Sequence, residues 1–221
     1  MYSQQIQPSL PSPSKLFTPG VCILLALMVT GAIFTLINGQ FALASFAVSS
    51  QSILSGRIWQ LATYSFISGS IMNLVFSSLM VVFVGSAVER EWRTVSFLAL
   101  WLVVSVACGL LWAIVDILTA GTAYGIGAAA CTYGLISAMA LLYRGRRFFL
   151  FFAVVPASYM VIILIIIGIL MNLTQPLNLI WIIGAPVGFL YIKLLWKINL
   201  RSARSATVEP NMRTGGFVDI D

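Results

Sequence analysis

The sequence contains no histidine. That absence removes the side chain that most often serves as general base and as metal ligand. Its three cysteines, Cys22, Cys108 and Cys131, all fall inside apolar runs. Without histidine they form no Cys/His metal cluster, and an apolar thiol is usually an inert small hydrophobe. No Walker, Rossmann or metal-ligand spacing occurs, so neither metal nor cofactor is expected. Charge is scarce as well. Only 8% of residues are charged, against about 25% in a soluble domain. What fills the chain is apolar. Its 221 residues are 60% hydrophobic, with a mean hydropathy of +1.02. Such a chain needs lipid as its solvent.

A spanning helix takes roughly 20 mostly apolar residues. Six segments qualify: about Val21 to Phe41, Ile71 to Val88, Val95 to Leu118, Ala123 to Tyr143, Ala157 to Leu173 and Leu177 to Lys193. Three parts follow: a flexible polar tail over 1–20, a membrane domain over 21–196, and a second flexible tail over 197–221. The loop from about Ala42 to Ser70 is long and holds Trp59, Tyr64 and Phe66, which suit the headgroup region. Phe148 to Val155 is apolar and ends at the helix-breaking Pro156, which points to an interfacial stretch.

A net charge of +6 is compatible with nucleic-acid binding. The placement of the charges argues otherwise. With a cytosolic N-terminus and six spans, 11 of the 12 Lys and Arg fall on the cytosolic side, and Arg57 alone falls outside. The positive-inside rule thus gives a multi-pass protein with both ends cytosolic, in a bacterial inner membrane or a eukaryotic endomembrane. The expected partner is the lipid bilayer and not nucleic acid.

Several stretches carry more than hydropathy. They are "IWQLATYSFISGSIMNLVFSSLMVVFVGSAVEREW" from Ile58, "GIGAAACTYGLISA" from Gly125, and "WIIGAPVG" from Trp181. In order and spacing they resemble the rhomboid intramembrane serine proteases, over about Phe17 to Trp196. The resemblance implies an all-α membrane protein, a six-helix rhomboid-like bundle. It also implies a lateral opening between the second and fifth spans, where a substrate's transmembrane helix enters.

The same alignment implies that the working residues are changed. Ala129 stands in the position of the nucleophilic serine, and Ala130 in that of the following glycine. Trp181 takes the position of the histidine base, or Ile182 after a shift of one. Asn73 and Ser77 stand at the oxyanion site. Trp59 and Gln60 stand at the family's Trp-Arg pair, so its arginine is missing. Peptide hydrolysis by a Ser–His pair needs a nucleophile and a base within reach of each other, and alanine supplies no nucleophile. The scaffold positions are kept: Gly85 and Glu89, Gly127 and Gly134 with Tyr133 between them, and Gly184 and Gly188. Small residues let membrane helices approach closely. The fourth span is therefore expected to face the sixth through Gly127 and Gly134 against Gly184 and Gly188, with Pro186 kinking the sixth.

Other polar residues have plainer readings. Glu89 either accepts hydrogen bonds from a neighbouring helix end, pairs with Arg90 or Arg93, or is a solvated interfacial carboxylate. Asp116, inside an apolar run, is a functional candidate by default. Its closeness to Thr119 and Gly121 favours an interfacial, solvated side chain. Ser68 and Ser70 are expected to cap the second span. Cys131 is read as packing, and Ser137 as lying toward the cytosol without a base. The expected function is that of a pseudoprotease, a non-enzyme that binds transmembrane segments of client proteins. The alternatives are an active rhomboid-type intramembrane serine endopeptidase and a small transporter. The transporter is disfavoured by the near absence of ionisable residues at mid-span.

Overall fold

The computed structural model describes residues 17–119, 124–142, 147–150, 153–156, 166 and 176–194. Both predicted tails, but for residues 17–20, lie outside the described residues. So does the predicted fifth span, apart from residue 166.

The first helix, α1, runs Pro19–Phe46. Proline at its first position suits a helix start, where no intrahelical N–H bond is lost. Its buried residues include Val21, Leu24, Met28 and Ala32, three or four apart along one stripe. Ile23, Leu27, Ile33, Leu36 and Ile37 are exposed on other faces. Apolar side chains inside and outside alike mark a helix that faces protein on one side and lipid on the other. The helix breaks at Gly39 (φ 42°) and continues to Phe46, further than the predicted Phe41.

The long loop is built of short turns. These are α2 (Ser50–Leu54), α3 (Gln60–Thr63) and a 3-10 turn at Tyr64–Phe66. Four of its side chains donate to the last carbonyls of α1. Arg57 Nη1 and Gln60 Nε2 bond the Ala44 oxygen (3.2 and 2.9 Å), Trp59 Nε1 bonds Ser45 (3.1 Å), and Thr63 Oγ1 bonds Phe46 (3.0 Å). These carbonyls have no partner within the helix, and a cation also suits the negative end of the helix dipole. Arg57, the one cation predicted to lie off the cytosolic side, thereby has a local role.

Next come α4 (Ile71–Met80), a π turn (Val81–Gly85) and α5 (Ser86–Leu118). Ser70 caps α4, its hydroxyl accepting from the Asn73 N–H. The run Ile71–Leu118 covers 48 residues. At about 1.5 Å per residue it would exceed twice the ~30 Å hydrocarbon core. It breaks at Arg93 (φ 69°, ψ 151°), which divides it into two legs. The inner stripe of the second leg is Phe97, Leu100, Trp101, Val104, Cys108, Trp112 and Asp116.

Helix α6 (Ala129–Leu142) is buried on every face from Ala130 to Met139, as befits a central helix. It starts later than the predicted Ala123. Gly125 forms an antiparallel bridge with Val48, and the Gly127 N–H donates to the Tyr64 carbonyl. These backbone groups are satisfied by the loop instead of by a helix. Two strands, β1 (Arg147–Leu150) and β2 (Ala153–Pro156), then form an antiparallel hairpin where a plain apolar stretch was expected. The last segment winds as a 3-10 helix over Pro176–Ile183 and as α7 over residues 184–194. Pro186 lies in the first turn of α7. The winding changes just past Ile182, whose carbonyl Pro186 has no N–H to bond.

Two runs, Pro19–Phe46 and Ile71–Leu118, are long and apolar enough to cross a membrane. Ala129–Leu142 and Ile180–Leu194 are shorter apolar helices.

Candidate functional site

The centre of the bundle is where α6 begins. Ala129 is the first residue of α6 and is half-buried. Just before it, Gly127 has φ 107°, a conformation few side chains adopt. A Cβ there would sit 3.1 Å from Asn73 Nδ2. Asn73 in turn accepts from the Ser77 hydroxyl at 3.4 Å. The sequence-predicted Asn73 and Ser77 are thus brought beside the turn that leads into Ala129.

Trp181 lies in a different setting. It is 3% exposed and stacked between two rings. Tyr64 lies 5.2 Å away with planes at 19°, and Trp112 lies 6.3 Å away with planes at 4°. The Tyr64 hydroxyl donates to the Ser105 carbonyl at 3.0 Å. The stack joins the loop, α5 and the last segment. Offset-stacked rings favour such contacts by about 0.5–1.5 kcal/mol each beyond area burial. The rings stacked on Trp181 come from Tyr64 and Trp112, and Tyr133 is a core residue of α6.

The expected contact between α6 and the last segment is present, with one correction. A Cβ on Gly184 would lie 2.1 Å from the Ala130 carbonyl oxygen, and one on Gly188 would lie 2.7 Å from that of Gly134. The facing residues of α6 are therefore Ala130 and Gly134. Gly127 precedes the helix and turns toward Asn73. Ser137 is buried in the same contact, its hydroxyl on the Gly134 carbonyl at 2.8 Å. Buried Cys131 lies against the Trp101 carbonyl.

Glu89 is neither solvated nor paired with Arg90 or Arg93. It is 4% exposed. Its carboxylate accepts from the Gly20 N–H (2.8 Å), the Val21 N–H (3.0 Å), the Thr94 hydroxyl (2.6 Å) and the Thr18 hydroxyl. It caps the N-terminus of α1 from across the bundle. Burial pushes its pKa up, but the bonds from Thr18, Thr94, Gly20 and Val21 outweigh that and hold it below the usual carboxylate value. Gly85 completes the contact: a Cβ there would press on Phe97 at 3.1 Å and Val21 at 3.4 Å.

Asp116 also departs from the solvated reading. It is 1% exposed, and its Oδ2 accepts the Ser50 N–H at 3.3 Å. Tertiary packing beneath residues 47–50 buries it, and nothing in its neighbourhood in the sequence signalled that. Among the described residues no cluster of three or more metal-ligating Cys, Asp or Glu exists.

An apolar exterior around a helical core containing small-residue contacts defines an integral membrane protein of the helical-bundle class. The Rhomboid domain model matches residues 55–198, and the chain belongs to the rhomboid family. No curated protein matches it.

Proposed function

We propose that the chain is a rhomboid-like pseudoprotease that holds transmembrane segments of client proteins in the membrane without cleaving them. One observation carries this reading: 221 residues without histidine, and Ala129 at the position that aligns with the nucleophile. A Ser–His hydrolase has neither of its reacting groups here. Trp181, wedged between Tyr64 and Trp112, supports it further, because an indole in that place accepts no proton. The client-binding part rests on analogy with the family scaffold.

We also propose six spans with both termini cytosolic, on the strength of the charge placement. The competing reading, an active serine endopeptidase, rests on family membership alone.

A serine-reactive fluorophosphonate separates the two. The wild-type chain in native membranes is expected to stay unlabelled, as is Ala129→Ser. Labelling that one Ser→Ala change abolishes would establish the protease instead. For client binding, a photo-crosslinker replaces Met72 or Phe76, both exposed on α4. Capture of single-pass membrane proteins, intact in length, is the expected outcome. Cleaved adducts would overturn the reading.

A further inference from the structure

The charged break between α4 and the second leg of α5 has a feature that packing does not explain. Arg93 adopts φ 69° and ψ 151°, a region that is essentially reserved for glycine. Glycine would hold this turn without strain, yet an arginine occupies it. Strain of this kind is kept where the side chain has a use.

The surroundings suggest what that use is. Arg90 and Arg93 are exposed, with Trp92 half-buried between them and packed on the core. Arg90 donates its Nε to the Ser86 carbonyl at 3.1 Å, and its side chain is exposed. Glu89, the obvious counter-ion, is taken up by α1 and Thr94. Glu91 is exposed between the two arginines. Among the described residues no carboxylate pairs with either guanidinium.

The turn interrupts a 48-residue apolar run. Its charges therefore belong at the membrane–water boundary, where tryptophan also prefers to sit. Directly beyond it the apolar Val95 is 79% exposed.

We propose that the Arg90–Arg93 turn binds the phosphate of an anionic phospholipid. The two guanidiniums supply forked donors to the phosphate oxygens. Trp92 sits at the level of the glycerol, and Val95 lies along the acyl chain. The site does not depend on whether the chain cleaves or holds its clients.

Native mass spectrometry of the full chain in detergent tests it, with added phosphatidylglycerol or phosphatidylcholine. The wild type is expected to retain phosphatidylglycerol in preference. Arg93→Gly fits the backbone better and should melt no lower than wild type. It is nevertheless expected to lose retention about fivefold, as is Arg90→Gln. Arg201→Gln/Arg204→Gln removes twice the charge of either single variant, from the C-terminal tail, and is expected to change nothing. Undiminished retention in both Arg93→Gly and Arg90→Gln overturns the proposal. So does an equal loss in the tail variant, which would indicate charge alone.

Discussion

At the scale of single residues, Glu89 does the most. One carboxylate receives two backbone N–H groups of α1 and two threonine hydroxyls from either side of it in the chain. Glu89→Gln keeps the shape but turns an amide donor toward those donors. It is expected to cost on the order of 2 kcal/mol, since bonds to a charged group are each worth about 1.5–3. The pH dependence has a definite sign. A carboxylate held below its unfolded value of about 4.3 stabilises the fold above that value, and the contribution is lost as pH falls through the lower folded value. Melting in detergent should therefore drop for the wild type below about pH 4.3 and change less for Glu89→Gln. A parallel fall in both would remove Glu89 from the account. The spacing of Gly85 and Glu89 marked this residue in the sequence, and a neighbouring helix end was one of its expected partners. Which end it was remained hidden, because Thr18 lies 71 residues away.

At the scale of elements, two contacts hold the centre. Helices α6 and α7 touch backbone to backbone at Gly184 and Gly188. Gly184→Ala would place a methyl against the Ala130 carbonyl, which cannot swing aside as a side chain would. A loss of about 1–3 kcal/mol is expected. Gly39→Ala meets no neighbour and should cost only the strain of its backbone conformation, on the order of 1–3 kcal/mol. A Gly184→Ala variant that melts with the wild type would show that the α6–α7 contact is not tight. The aromatic stack is the second contact. Ala129→Ser/Trp181→His supplies both missing groups, yet imidazole cannot fill the slot between Tyr64 and Trp112. The double variant is expected to lose about 3 kcal/mol through the void and to leave a transmembrane reporter uncut. Cleavage would show that the stack does not control the position. The small-residue faces were legible from sequence because their composition is itself the signal. The start of α6 was not, because Gly125 and Gly127 bond to Val48 and Tyr64, and periodicity does not show such tertiary partners.

At the scale of the whole molecule, hydropathy and charge are the two sources of information, and they act at different ranges. Hydropathy locates apolar runs but not where a run divides. The described structure divides Ile71–Leu118 at Arg93, within the cluster Glu89 to Arg93, as the charges had suggested. Arg57 was the exception in the charge count, and its bond to the end of α1 removes it from the orientation signal. With that accounted for, every remaining cation lies on one predicted side. Added cysteines in a Cys22→Ser background, where Cys108 and Cys131 are buried, test this directly. Ser14→Cys and Ser205→Cys in the two tails should react with a membrane-impermeant maleimide from the same side of sealed vesicles. Ser55→Cys, in the exposed loop after α2, should react only from the other. An odd number of spans would put Ser14→Cys and Ser205→Cys on opposite sides. That result would also undo the cytosolic assignment of Arg144, Arg146 and Arg147, since the orientation of the C-terminal half depends on the same count.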